Sequence, residues 1–232
     1  MSKEEKMIEE GAEKEPSSFR LIFTLGFAGF MSGLILVGVF LFTKPIIENN
    51  KAEALKKAIF KVLPGTTTFK TLALDNNGKL AEYNPSPESK KGEEPERIFF
   101  GMNDNGEFTG VAIHGGEPGF QDIIGVLFGY DAVGKMVIGY EVLQCKETPG
   151  LGDKIFKDEA FVMNFTQLAV EPEIVPVKKG EKQNPNEVEA ITGATISSKA
   201  VVRLLNKNLT KWKTAIEAYL NENQISTPAK DE

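Results

Sequence analysis

The sequence predicts an α+β domain carried on a single membrane-spanning helix. Three observations predict it: one uncharged apolar run near the N-terminus, a middle region of short apolar segments separated by Asn/Asp–Gly turns, and a closing stretch with helical periodicity. Strands covered by a long C-terminal helix give α+β, and no internal repeat argues for a solenoid. The 232 residues leave room for one or two domains, and a hydrophobic share of 41% is ordinary for a folded protein. A net charge of −6, without a basic stripe, argues against nucleic acid as a partner. One Cys and one His exclude an internal disulfide and argue against a zinc site or a His-based triad. Chemistry in this chain must come from carboxylates, hydroxyls, backbone amides or a cofactor.

Residues 1–18 are Lys, Glu and small polar residues with no apolar period, and residues 223–232 form a second polar tail. Residues 21–42 read LIFTLGFAGFMSGLILVGVFLF without a charge. As a helix over 19–43, this segment is long enough to cross a bilayer core of roughly 30 Å and to anchor the chain in lipid. It is too long for the apolar part of a cleaved signal, and Lys44-Pro45-Ile46-Ile47 stands where a small-residue cleavage site would be. Gly29 and Gly33 form a GxxxG pair, a face for close helix contact. Lys3, Lys6, Lys14 and Arg20 are roughly matched by Lys44, Lys51, Lys56, Lys57 and Lys61, so charge bias leans only weakly towards a cytoplasmic C-terminal side.

Residues 44–64 predict an amphipathic stalk helix. Pro45 suits its first turn, Leu55, Ala58, Ile59 and Val62 share one side, and Pro64-Gly65 ends it. The globular domain then takes 65–222, with its motifs within about 107–220. Segments 69–74 and 80–83 predict a hairpin around the turn at 75–78, and 84–96 a solvated Pro/Ser/Lys/Glu loop. Strands follow at 97–102 and 108–114 around the turn at 103–106, and at 123–130 and 136–143 around 131–134. Residues 153–165 read as one helix. Residues 197–220 read as the last, with Ala200, Val201, Leu204, Leu205, Trp212, Ile216 and Tyr219 on one stripe.

Two segments carry the chemistry. In Glu189-Ala-Ile-Thr-Gly-Ala-Thr-Ile-Ser-Ser198, the small residues Gly193 and Ala194 lie between hydroxyls at Thr192 and Thr195, just before a helix. Read alone this is a helix cap, and it is also a seat for phosphate, since the free N–H groups and dipole of a helix start favour an anion. Glu147-Thr-Pro-Gly-Leu-Gly-Asp-Lys154 breaks any regular element between a strand and a helix. That makes it either a connector or a ligand loop. A third glycine-rich run, 114–120, begins at His114, which reads as the end of a strand and a surface or capping residue. Cys145 reads as inert packing.

The pairing of ETPGLGDKI (147–155) with EAITGATISS (189–198) resembles the FMN-binding domain of the Rnf complex G subunit, whose close relative is the C subunit of the sodium-pumping NADH:quinone reductase. The resemblance runs from the membrane anchor through the last helix. It implies FMN carried on Thr195 through a phosphoester bond, made by a separate flavin transferase that recognises an acidic residue three before the Thr-Gly-Ala-Thr run. That position is Glu189, where the family has Asp. Cofactor contacts implied are Thr192, Gly193, Ala194, Ile196 and Ser197 from one motif and Glu147, Thr148, Leu151, Gly152 and Lys154 from the other. Lys199 and Arg203, one turn apart, add positive charge. No residue is assigned a catalytic or metal-binding role.

The implied function is a flavoprotein subunit that relays electrons inside an Rnf-type ferredoxin:NAD oxidoreductase translocating Na+ or H+, with no substrate turnover of its own. Its partners are the other membrane and peripheral subunits. It lies in the inner (cytoplasmic) membrane as a single-pass protein, with the domain on the extracytoplasmic side. Three other readings stay open: the quinone-reductase C subunit, a non-redox anchored module for ligand binding or assembly, and a hydrolase using Glu147 and Asp153 as paired carboxylates.

Overall fold

A computed structural model of the chain describes residues 17–75, 77–83, 95–223 and 225. Most of the two expected tails, and residues 84–94 of the expected loop, lie outside the described residues. The chain divides into two compact units, Met1–Ala52 and Glu53–Glu232.

In the first unit the apolar run is helical throughout, as part of helix α1 (Ser18–Val62), and is long and apolar enough to cross a membrane. Its side chains are bare of protein, with Leu25 80% and Phe42 74% exposed. A contiguous apolar surface of that size opposes solution in water and suits lipid. The anchor and stalk expected as separate helices are one element, and Pro45 lies inside it instead of in a first turn. A proline there removes the single N–H that would bond the Leu41 carbonyl, and the helix continues past the gap.

The second unit is built on a seven-stranded antiparallel sheet. Its strands are β1 (Thr68–Leu74), β2 (Leu80–Glu82), β3 (Arg97–Met102), β4 (Phe108–Pro118), β5 (Ile123–Asp131), β6 (Met136–Gln144) and β7 (Leu168–Ala169), in the order β2-β1-β3-β4-β5-β6-β7. The central strands are buried on both faces, which is why they read as continuous apolar runs. Ile98, Phe100, Val111, Ile113, Val126 and Phe128 share a core with the last helix, α4 (Thr195–Glu222). The alternate residues Phe99, Ala112 and Leu127 meet Ala58, Ile59, Val62 and Leu63, the end of α1 and the residue after it. Between β6 and α4 come the short helices α2 (Lys154–Lys157) and α3 (Glu159–Met163), β7, and a parallel pair formed by β8 (Val175–Val177) and β9 (Glu187–Glu189).

Glycines set how closely the two helical segments lie on the sheet. Gly129 and Gly139 face each other across β5 and β6, and a Cβ on either would run into the Val62 carbonyl oxygen. A Cβ on Gly115 of β4 would come 3.2 Å from Leu204 and collide with Asn208, both on α4.

Three expectations change. The helix expected over 153–165 is two helices, because Asp158 is extended (φ −85, ψ 107) and its carboxylate accepts the Ala160 N–H at 3.0 Å, starting a new helix. Strand β4 runs on to Pro118, so His114 lies within it, paired with Leu127, and does not end it. Helix α4 begins at Thr195, two residues before the expected start.

Gly139→Ala is expected to destabilise the detergent-solubilised protein by about 1–3 kcal/mol or more, since the methyl meets backbone that cannot turn aside. Gly116→Ala, where the nearest atom to a new Cβ is 3.3 Å away on the Ile123 side chain, is expected to be near neutral. Denaturant melts of the two variants measure the difference.

Candidate functional site

Three segments far apart in sequence meet at one end of the sheet: the β4–β5 turn, the loop that leaves β6, and the start of α4. The loop owes its shape to local chemistry. Thr148-Pro149-Gly150-Leu151 is a turn closed by the Leu151 N–H on the Thr148 carbonyl at 3.2 Å. Proline presets the second position, and Gly150 takes the left-handed φ of +79 at the third. Asp153 locks the turn from behind: Oδ1 accepts the Gly150 N–H at 2.7 Å and Oδ2 pairs with Lys157 Nζ at 2.6 Å. The Lys157 bond holds the Asp153 carboxyl below its usual range against burial, with help from the Gly150 N–H.

Glu147 joins all three segments. The residue is only 6% exposed. Oε1 accepts the N–H groups of Phe120, Gln121 and Asp122 at 3.0, 3.0 and 3.4 Å, and Oε2 accepts the Ser197 hydroxyl at 2.8 Å. Gly119 and Gly152 make room for it: a Cβ on Gly119 would collide with Oε1, and one on Gly152 would sit 2.6 Å from Oε2. Burial pushes the carboxyl up, but the Gln121 N–H, the Ser197 hydroxyl and the Asp122 and Phe120 N–H groups outweigh it and hold the pKa below the ordinary 4.5. With both Glu147 and Asp153 engaged in holding loops, the paired-carboxylate hydrolase reading loses its support.

The start of α4 is open. Gly193 has φ +84, and the Ala194 N–H closes a turn on the Ile191 carbonyl at 3.0 Å. Ala194 is the N-cap and has no side chain to cap with, so the bland cap reading fails here. The two serines tie the helix start to its surroundings. Ser197 reaches Glu147, while the Ser198 hydroxyl donates to the Ala194 carbonyl at 2.9 Å and accepts the Ile191 N–H at 3.1 Å. The N–H groups of Thr195, Ile196 and Ser197, and the exposed Thr195 hydroxyl, have no partner among the described residues.

Between loop and helix lies a cleft of about 350 Å3, within the range of small-molecule sites. Its lining unites residues of both motifs, including Glu147, Thr148, Leu151 and Gly152 from one and Thr195 and Ile196 from the other, with Gly193, Ala194 and Ser197 beside them. A Cβ on Gly193 would stand 3.6 Å from Leu151, so the two motifs nearly touch. Leu151 and Ile196 are about half exposed (48% and 51%) and offer apolar surface to a ligand. An open helix start beside apolar walls suits a molecule with an anionic group at one end and a flat apolar body at the other.

Not every expected residue lies here. Thr192 and Lys154 line an adjoining cleft of about 180 Å3, together with Glu189. Glu189 Oε1 accepts the Gly180 N–H at 3.1 Å. Arg203 does not add free charge to the site: it is held by Glu117 at 3.3 Å and the Pro118 carbonyl at 3.2 Å. Lys199 is exposed and has no ion partner among the described residues. Cys145 is half-buried, and burial pushes its thiol up. Phe120, 68% exposed on the cleft wall, was missed. Its signal was the Pro118-Gly119 pair ahead of it, a turn with no visible partner until Glu147 is placed.

The lowered Glu147 pKa has a consequence for stability. Its contribution is complete above the unfolded-state value near 4.5 and is lost as pH falls through the lower folded-state value. Wild type is therefore expected to lose stability on acidification below about pH 4.5, and Glu147→Gln to lose less over the same window, as thermal melts in a pH series would read. Ser197→Ala, which strips a donor from a buried carboxylate, is expected to lower stability by about 1–3 kcal/mol at neutral pH.

Comparison with known proteins agrees with this geometry. Residues 119–210, which span all three segments, match the model of the FMN-binding domain. The G subunit of the Na(+)-translocating ferredoxin:NAD(+) oxidoreductase complex of Acetobacterium woodii is 29% identical over 208 residues, covering 86% of this chain and 96% of that protein. The G subunit of the ion-translocating oxidoreductase complex of Haemophilus influenzae is 28% identical over 180 residues, covering 77% of this chain and 82% of that protein. Among solved structures, NqrC of Shewanella oneidensis superposes with a TM-score of 0.56 at 17% identity, over 73% of this chain and 99% of that one, a likeness of fold. Residues 119–210 match an FMN-binding domain, and the chain around them is similar along most of its length to the G subunits of ion-translocating oxidoreductase complexes.

Proposed function

We propose that this chain is a membrane-anchored flavoprotein subunit relaying electrons through FMN linked covalently to Thr195, within an Rnf-type ferredoxin:NAD oxidoreductase that translocates Na+ or H+. The observation that carries the reading is the cleft itself. It sets an exposed threonine hydroxyl, without a partner among the described residues, at a helix start with no side-chain cap, opposite the apolar side chains of the other motif. The FMN-binding domain match and the similarity to the G subunits support the flavin and the complex. The bare apolar run of α1 supports the anchor.

On this reading Thr195 Oγ1 carries the phosphate as an ester, and the N–H groups of Thr195 and Ile196 and the Lys199 ammonium face its charge. Leu151, Ile196 and Phe120, which line the cleft, would offer the ring apolar surface, and Thr148, whose hydroxyl donates to Gln121 Oε1 at 3.2 Å, would border it. Bound FMN supplies the electron-accepting ring; the protein supplies its position and electrostatics. The domain faces the extracytoplasmic side of the cytoplasmic membrane on a single span. Maturation uses a flavin transferase that recognises the segment at Glu189, and electrons pass to and from neighbouring subunits. The quinone-reductase reading is supported by likeness of fold to NqrC, at 17% identity.

The test is to produce the full chain with a flavin transferase, denature it, and look for flavin fluorescence that stays with the protein band. An FMN-sized mass addition is expected on the peptide holding Thr195. Thr195→Ala is expected to abolish both signals, and Thr192→Ala to retain them. Fluorescence retained in Thr195→Ala would sink the attachment site, and a colourless wild type would favour the non-redox module.

A further inference from the structure

We infer that Glu147 is a positioning residue that sets the reduction potential of the bound flavin, by holding the cleft in shape and by placing a fixed negative charge in its wall. The inference rests on the FMN reading of the same cleft and goes beyond it, because it assigns a consequence to a side chain that meets the other cleft walls and not the attachment point.

The positioning half follows from the contacts. Glu147 lies in the loop bearing Leu151, four residues before it, and its carboxylate also bonds the turn that carries Phe120 and the helix start that carries Thr195 and Ile196. The three apolar walls of the cleft thus hang on one side chain. The adjacent glycines admit nothing larger: a methyl on Gly119 or Gly152 would displace the carboxylate. The charge half follows from burial. Three backbone N–H groups and one hydroxyl stabilise the anion, but all four donors are neutral, and no cation pairs with it among the described residues. Two lysines near it in sequence are committed to other carboxylates, Lys146 to Asp122 at 3.5 Å and Lys157 to Asp153 at 2.6 Å. An uncompensated anion in the wall opposes adding electrons to a ring in the same cleft, and so keeps the potential low.

Two substitutions separate shape from charge. In Glu147→Gln the amide oxygen still accepts the three N–H groups, while the charge is gone. Ser197→Ala keeps the charge and removes one donor that offsets it. In the flavin-loaded, detergent-solubilised full chain, Glu147→Gln is expected to move the midpoint potential to more positive values, changing the oxidised-to-reduced ratio at a fixed ambient potential by about tenfold or more. Ser197→Ala is expected to move it the other way. Equal potentials in wild type and Glu147→Gln, or a shift in the same direction in both variants, overturn the charge assignment. If Glu147→Gln does not fold, the Ser197→Ala shift decides alone. The positioning half is read without flavin: hydrogen exchange at the amides of Phe120, Gln121 and Asp122 is expected to rise in Glu147→Ala and to stay near wild type in Glu147→Gln. Unchanged exchange in Glu147→Ala overturns it. A wild type that takes up no flavin counts against the FMN reading, and the exchange measurement still stands.

Discussion

The site depends on one buried carboxylate. Glu147 lies 25 to 27 residues from the turn amides it accepts and 50 from the Ser197 hydroxyl. Its four bonds close the largest loops that the site needs. Hydrogen bonds to a charged group each contribute about 1.5–3 kcal/mol, yet a buried carboxylate that loses its partners is strongly destabilising. The arrangement is therefore close to all-or-none. Either the turn, the loop and the helix start arrive together, or a charge is left without solvent. That makes the cleft a preformed shape instead of three loops that a ligand must gather, and a preformed site spends less ligand affinity on ordering.

The sheet makes that convergence possible by fixing helices on both faces. On one face α4 lies close over β4 because Gly115 has no side chain to hold it off, and this brings Ser197 within reach of Glu147. On the other, the Gly129–Gly139 pair lets the Val62 carbonyl settle onto the strands. A sheet covered twice tolerates little slippage, since a one-residue register shift would exchange the residues facing α4 with those facing Ile59 and Val62. The strand ends that carry the β4–β5 turn and the β6 loop inherit that rigidity. Lysine contacts at the surface, such as Lys61–Glu141 at 2.6 Å, are exposed on the lysine side and contribute little by comparison.

Much of this was legible in the residues. The Asn/Asp–Gly turns marked the hairpins, because a left-handed position between two alternating segments has few other uses. The Pro149-Gly150 pair marked a turn of the kind observed. What the sequence hid was dictated by distant partners. Strands β7, β8 and β9 have two or three residues each, too short for any period to show. Gly115 and Gly116 read as turn glycines but serve in a strand, because what Gly115 accommodates is a helix some ninety positions on. Asp158 looked like one more residue of the helix expected over 153–165, and its own side chain, bonded to the Ala160 N–H, starts a new one. In the site, both motifs were visible, but Glu147 read as a contact to a ligand, whereas its oxygens are occupied by the protein. Arg203 read as free charge for the same reason: Glu117, its partner, lies on β4.

Openness at the helix start bears on why a covalent bond suits this site. Thr195 and Ile196 are exposed, the cleft walls Leu151, Ile196 and Phe120 are each about half exposed or more, and Arg203 is committed elsewhere. The cationic help left for a phosphate is a helix dipole and one exposed lysine. A charge at a helix end is worth about 0.3–1 kcal/mol when exposed, and a solvated lysine adds a similar amount. Against an association cost of several kcal/mol, such a seat holds a mononucleotide weakly. Deepening the pocket would raise affinity but would also bury the ring away from its redox partners. On the proposed reading, attachment through Thr195 Oγ1 would resolve the conflict: the bond would replace affinity, and the ring would stay near the surface where electrons could enter and leave. On that reading the shallow placement would leave Glu147 as the buried charge in the cleft wall, and the electrostatics around the ring would be set by that side chain more than by the phosphate's neighbours.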